Sequence, residues 1–253
     1  MCMTGSKLDC VRVVLVDTSH PGNIGAAARA MWTMGLRRLS LVRPKHFPSA
    51  EASARAAGAD ALLYEAAIFD SLDQALADCV WVVGTTVRSR QLELARLSPR
   101  AFAARAAEEG RLGEVALVFG REQSGLSNAE LDQCQAIVSI DANPKFRSLN
   151  LAAAVQVLSY ELQLVFDDGA HGVGASSHDG AAAAPTTAEL EGLYTHMQQA
   201  LTDIGYYDPD APKLLMRRLR RLFARARIDR AELNILRGIL AAAQRAAGAH
   251  RAC

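Results

Sequence analysis

The stretch Val115-Ala-Leu-Val-Phe-Gly-Arg-Glu-Gln-Ser-Gly-Leu-Ser-Asn-Ala-Glu130 decides how the chain is read. Val115 to Phe119 form a short, continuous apolar run of the kind that makes a buried strand. Gly120 and Gly125 follow, and glycines there permit φ > 0 and leave backbone groups free in a loop. Ser127-x-x-Glu130 is a capping box, the start signal of a helix. Strand, glycine loop and helix start are the building unit of an α/β sheet with parallel strands.

The unit recurs on both sides. Val11-Arg-Val-Val-Leu-Val16 reads as a buried strand, followed by the turn Asp17-Thr-Ser-His-Pro-Gly22 and a helix from about Asn23 to Met34. Gly35 stands in a C′-like position after it. Leu39 to Val42 is the next strand, and an Ala-rich helix then runs to Gly58. Leu62-Leu63 reads as a short strand and Leu72 to Ala77 as a helix. Cys79 to Val83 is a strand closed by Gly84-Thr-Thr86, and Pro99 opens a helix to about Glu109. Ile137 to Ile140 is the last strand, and a long helix covers Leu149 to about Phe166. The reading is an α/β domain over residues 1–166 with a mainly parallel sheet. Residues 167–187, rich in Gly, Ala, Ser and His, read as a flexible linker. Residues 188–253 read as a small helical domain, with capping boxes at Thr186-x-x-Glu189 and Asp229-x-x-Glu232.

The chain has 253 residues, half of them hydrophobic, and a formal net charge of +1. The average conceals an asymmetry: about 11 basic and 7 acidic residues follow Ala184, against 17 and 20 up to it. Five cysteines lack any C-x-x-C pair, so a metal site is not expected and reduced thiols in the cytoplasm are. No apolar run has the length of a signal peptide or a membrane span.

Three turns carry the candidate chemistry: Asn23-Ile-Gly-Ala-Ala-Ala-Arg29, Val118-Phe-Gly-Arg-Glu-Gln-Ser-Gly-Leu-Ser127 and Asn143-Pro-Lys-Phe-Arg-Ser-Leu-Asn-Leu151. Arg29 is a permanent cation among apolar neighbours, with Gly25 one turn earlier leaving a notch beside it that lets another backbone or a ligand approach closely. Its bland alternative is an arginine reaching a surface carboxylate. Asn23 reads as the N-cap of its helix, and Gly22 and Gly25 beside that helix start suggest an anion site. The run is not G-x-G-x-x-G, so a dinucleotide fingerprint is unsupported. Glu122 alone would be a solvated loop carboxylate, and Ser148 reads as the N-cap of the long helix. Lys213 to Arg230 holds about eight basic residues and one acidic one. Arg217, Arg218, Arg220 and Arg221 there suit phosphate-backbone binding, or else simply solvate a helix face.

Taken together, the three motifs resemble those of the SpoU-type RNA 2′-O-methyltransferases of the SPOUT superfamily, over about Val11 to Phe166. The text from Leu151 to Glu161, with the linker and helical tail, is similar to the TrmJ branch, which methylates the ribose at position 32 of the tRNA anticodon loop. With so short an N-terminus, the RNA-binding domain that several rRNA-directed relatives add there is not expected. The resemblance implies a sheet whose C-terminal part is tied in a trefoil knot, S-adenosylmethionine bound in that knot, a homodimer, and tRNA as partner. It implies cofactor contacts from Thr85, Thr86, Val87, Gly120, Ile140, Arg147, Ser148, Leu149 and Asn150. It assigns catalysis to Arg29, facing the cofactor of the other subunit, with Asn23, Glu122, Ser148 and Asn150 completing the catalytic set. Asn23 and Glu122 would hold Arg29 or RNA, and Arg88 and Arg90 would meet phosphates. An rRNA methyltransferase of the same fold and a catalytically silent RNA-binding homologue stay open as alternatives.

Overall fold

The computed structural model describes residues 7–86, 94–146, 148–168 and 183–251. These fall into two compact units, one up to Asp168 and one from Ala183. In the first unit a 3-10 turn (Lys7–Cys10) leads into β1 (Val11–Val16), α1 (Pro21–Thr33), β2 (Arg38–Val42), α2 (Ala50–Ala56) and α3 (Asp60–Tyr64). Next come β3 (Ala67–Phe69), α4 (Leu72–Leu76), β4 (Cys79–Thr85), β5 (Ala95–Leu97), α5 (Pro99–Glu109), β6 (Glu114–Phe119), α6 (Asn128–Leu131), β7 (Ala136–Val138) and α7 (Leu151–Asp168).

Among the described residues the strands form one sheet in the order β3-β2-β1-β6-β4-β7-β5, every pairing parallel. Its central strands are apolar along most of their length because both faces are covered. Side chains alternate across the sheet. Val13, Leu15, Leu117 and Phe119 join the larger core with α1, α5 and α7, whereas Val14, Val16, Ala116 and Val118 join a second core with α4. Arg12, inward on that second face, is held by the Ala75 carbonyl at 2.8 Å and by the Glu114 carboxylate.

Several local expectations are corrected. Leu62 and Leu63 lie in α3, not in a strand, with both side chains buried. A two-residue apolar pair carries no periodicity with which to choose between the two. The strands β3 and β5 were not expected; each is only three residues long and shows just one partly covered side chain. The first helix begins at Pro21 rather than Asn23, since proline at its first position has no N–H to leave unpaired. His20 is therefore the N-cap, and Asn23 is not. At α7 the cap is Asn150 instead of Ser148. The Asn150 side-chain oxygen accepts from the backbone N–H of Ala152 at 2.9 Å and of Ala153 at 3.4 Å.

The second unit consists of α8 (Thr187–Asp203), α9 (Leu215–Ala226) and α10 (Arg230–Arg251). Leu193, Met197 and Leu233 form its small core, with Leu219, Phe223 and Leu236 packed against them. The Thr186–Glu189 capping box starts α8 as the sequence foretells.

Candidate active site

A cavity of about 260 Å³ opens where β4, β6 and β7 end and α7 begins. Such a crevice at the carboxyl ends of parallel strands is where open α/β sheets hold ligands. Eight residues singled out in the sequence line it: Thr85, Thr86, Gly120, Glu122, Gly125, Ile140, Ser148 and Leu149. Phe119, Val138, Leu151 and Leu158 give it an apolar wall. The Thr85 hydroxyl is committed to the Val118 carbonyl at 3.1 Å, and the Thr86 N–H to the Val138 carbonyl at 3.2 Å. These bonds lock the ends of the three strands together. Gly120 is required by close approach: a Cβ there would lie 2.2 Å from the Gly125 carbonyl carbon. Gly125 in turn takes φ +67° and donates its N–H to the Arg121 carbonyl at 2.9 Å, folding the loop back on itself.

The three motifs meet at Glu122. Its carboxylate accepts from the Ser19 N–H (3.2 and 3.3 Å), the Ser19 hydroxyl (2.9 Å), the His20 N–H (3.2 Å) and the Asn23 amide (3.0 Å). The Asn23 side-chain oxygen then accepts from the Asn150 amide at 3.0 Å. One hydrogen-bonded chain thus joins the first, second and third motifs. The anion at the start of α1 is Glu122 itself, sitting where the helix N-terminus favours negative charge. Burial pushes the Glu122 carboxyl up, but the bonds from Asn23 and from the backbone N–H groups of Glu122, His20 and Ser19 outweigh it. The pKa drops to about 2.

Gly25 has another purpose than a notch for Arg29. A Cβ there would lie 2.0 Å from the Ala52 carbonyl oxygen, so the glycine lets α1 and α2 touch backbone to backbone. Arg29 is exposed, lies outside the cavity lining and makes no ion pair among the described residues. Six residues beyond Asn23 place it about 9 Å further along the helix axis and on another face. Within the described contacts of one chain, neither Asn23 nor Glu122 holds it.

Arg121 is the residue the sequence reading missed. Its guanidinium forks onto Glu130 (3.0 Å twice) and also bonds Asp17. Arg43 grips Asp17 from the other side, at 3.0 Å through two nitrogens. The hydrogen bond from Arg43, above all, holds the Asp17 carboxyl below its ordinary range. Glu130, pushed up by burial, is brought down on balance by Arg121 and the Ser127 N–H. The capping-box glutamate therefore has a second task, holding the arginine that ties the glycine loop to the end of β1. The only sequence signal was the arginine between Gly120 and Glu122.

Val87, Arg88, Arg90 and Arg147 lie outside the described residues, as does most of the expected linker. In the second unit Arg218 is exposed on α9, while Arg217 and Arg221 are half-buried. Arg220 is engaged internally: it pairs with Glu191 through two nitrogens and stacks 4.4 Å above the Tyr194 ring. Burial raises the Tyr194 hydroxyl to about 12.

Residues 10–160 match the sequence model of the SpoU rRNA Methylase family, and residues 188–252 match that of the tRNA methyltransferase TrmJ C-terminal domain. A tRNA (cytidine/uridine/adenosine-2′-O-)-methyltransferase TrmJ of Pseudomonas aeruginosa is 49% identical over 247 residues, covering 95% of this chain and 96% of that protein. A tRNA (cytidine/uridine-2′-O-)-methyltransferase TrmJ of Pectobacterium atrosepticum is 48% identical, over 94% and 98%. The crystal structure of TrmJ from Z. mobilis superposes with a TM-score of 0.77 at 33% identity, covering 91% of this chain and 97% of that one. The three motifs joined at Glu122, the parallel sheet that carries them and these likenesses along nearly the whole chain place it in the SpoU methylase family, with a C-terminal domain of the TrmJ type.

Proposed function

We propose that the chain is an S-adenosylmethionine-dependent tRNA ribose 2′-O-methyltransferase, acting as a homodimer on pyrimidine nucleotides, with position 32 of the anticodon loop as its target. The observation that carries this reading is the hydrogen-bonded chain Glu122–Asn23–Asn150 at the rim of the cavity. It joins the three motifs into one site. Relatives of nearly equal length named as tRNA methyltransferases favour tRNA over rRNA.

The cavity suits the cofactor: it offers an apolar wall for a flat purine, beside a loop that Gly120 and Gly125 allow to fold tightly on itself. Thr85, Thr86, Gly120, Ile140, Ser148 and Leu149 would hold it. When bound, S-adenosylmethionine supplies a methyl group on a positively charged sulfur, poised for in-line transfer. The protein must then orient the ribose 2′-hydroxyl and dispose of its proton. Glu122 is a poor base for this, because a carboxyl with a pKa of about 2 stays ionised and holds protons weakly. A guanidinium has no acceptor at all. Arg29 acts instead as a fixed cation that stabilises negative charge growing on O2′, while the proton leaves to water or an RNA phosphate. Since Arg29 is exposed and off the cavity of its own chain, it serves the cavity of a second copy. The Ser148 hydroxyl, exposed at the cavity rim, meets the ribose. Asn23 and Asn150 are positioning residues.

Methyl transfer from labelled S-adenosylmethionine to unmodified tRNA and, separately, to rRNA tests the reading, with the product nucleoside identified by mass. A 2′-O-methylated pyrimidine at position 32 of tRNA, absent with Arg29→Ala, supports it. Labelling of rRNA alone moves the substrate, and no transfer despite retained tRNA binding favours a silent RNA-binding homologue.

A further inference from the structure

Phe146 stands in the turn that leads into the cavity, with 77% of its surface exposed. A single exposed apolar residue is ordinary, so its position must carry the argument. The Asn143 side chain accepts from the Lys145 N–H at 2.9 Å, and the Asn143 carbonyl from the Phe146 N–H at 2.8 Å. Both bonds end on Asn143, so the turn is closed on itself up to the residue that bears the ring. Ser148, two residues on, lines the cavity, so the two Cα atoms are within about 7 Å of one another. Among the described residues the Phe146 ring has no aromatic neighbour and no cation above it. Lys145, beside it, is exposed too. Tyr64 is comparably exposed, but it closes α3, which does not border the cavity.

A bare ring next to a cation is the pair of surfaces that single-stranded RNA meets well, base on ring and phosphate on charge. A ribose placed against Ser148 leaves its base outside the cavity, within reach of this turn. We propose that Phe146 is the stacking platform for the base of the nucleotide being methylated, a positioning residue that no hydrogen bond of the site supplies. The proposal rests on the methyltransferase reading above.

Full-length protein carrying Phe146→Ala or Phe146→Trp would be compared with the original chain for tRNA binding by fluorescence anisotropy and for methyl-transfer kinetics. Binding of S-adenosylmethionine by calorimetry and the oligomeric state would be followed alongside. We expect Phe146→Ala to raise Kd and KM for tRNA by about 5- to 150-fold, with cofactor binding unchanged and Phe146→Trp restoring both. Unchanged tRNA affinity in Phe146→Ala would overturn the proposal while leaving the methyltransferase reading intact. So would failure of tryptophan to rescue, loss of cofactor binding, or an altered oligomeric state, which would make the ring a structural or subunit contact. An original chain that neither binds nor methylates tRNA would sink the underlying reading, and the platform with it.

Discussion

At the scale of residues, Glu122 has the most to do. It satisfies donors from the turn before α1 and orients Asn23, which in turn meets Asn150. Glu122→Gln keeps the shape but loses the charge and places an NH₂ where an acceptor is needed. The expected cost is about 1–2 kcal/mol of stability, at the modest end because the carboxylate is partly solvated, together with a marked fall in kcat. Chemical denaturation and single-turnover assays would check the two separately. The same carboxylate sets an acid limit. Its folded pKa of about 2 lies below the ordinary 4.5, so its stabilisation is complete above pH 4.5 and disappears as pH falls towards 2. Asp17 and Glu130, also lowered, act in the same direction. Stability measured from pH 6 to 2.5 should fall steeply for the original chain and less steeply for Glu122→Gln; equal slopes would mean that Glu122 is not the group involved. For Arg29, substitution by Lys keeps the charge but loses the planar fork, and we expect kcat to drop at least tenfold. Near-full activity of Arg29→Lys would refute the fixed-cation role.

Elements explain which local signals succeeded. The strands β1, β4 and β6 were legible because each is covered on both faces and is apolar along most of its length. The strands β3 and β5 occupy the two edges of the sheet, where an apolar pattern is not demanded. Capping boxes at Ser127 and Thr186 were readable because both partners are local. Asn23 was misread for the opposite reason: its partners, Glu122 and Asn150, are 99 and 127 residues away. Gly25 was read in part: a glycine there announces the close approach of a backbone or a ligand, but not that the neighbour is the backbone of α2. Gly25→Ala would drive a methyl group into the Ala52 carbonyl. It should cost about 1–3 kcal/mol, lowering Tm without changing the fold, as circular dichroism would report. A variant as stable as the original would show that α1 and α2 separate freely.

For the whole molecule, two readings can be tested. If Arg29 serves the cavity of a second copy, then mixing Arg29→Ala with Ser148→Ala, each inactive alone, should recover activity in mixed dimers. About a quarter of the original activity is expected when half the chains exchange into mixed dimers, each with one intact site. No recovery after confirmed subunit exchange would place arginine and cavity in the same chain. The second unit supplies exposed cations, Arg218 and Arg225 among them, on α9. Replacing both by Ala should weaken tRNA binding and reduce the slope of log affinity against log salt by about 1–2. An unchanged slope would make that face merely solvating.

The sequence by itself determined the parallel α/β class, the helical second unit and the three turns that would gather into a site. Those properties are written in short-range periodicity, glycine positions and capping residues, each of which acts over a few neighbours. Only the tertiary structure decided what the turns do to one another. It turned the expected helix cap Asn23 into the link between Glu122 and Asn150, filled the expected anion site with the chain's own carboxylate, and committed Arg121 to Glu130 and Asp17. Hydrogen bonds and ion pairs between distant segments depend on where the sheet brings its strand ends, and no local pattern of residues records that distance.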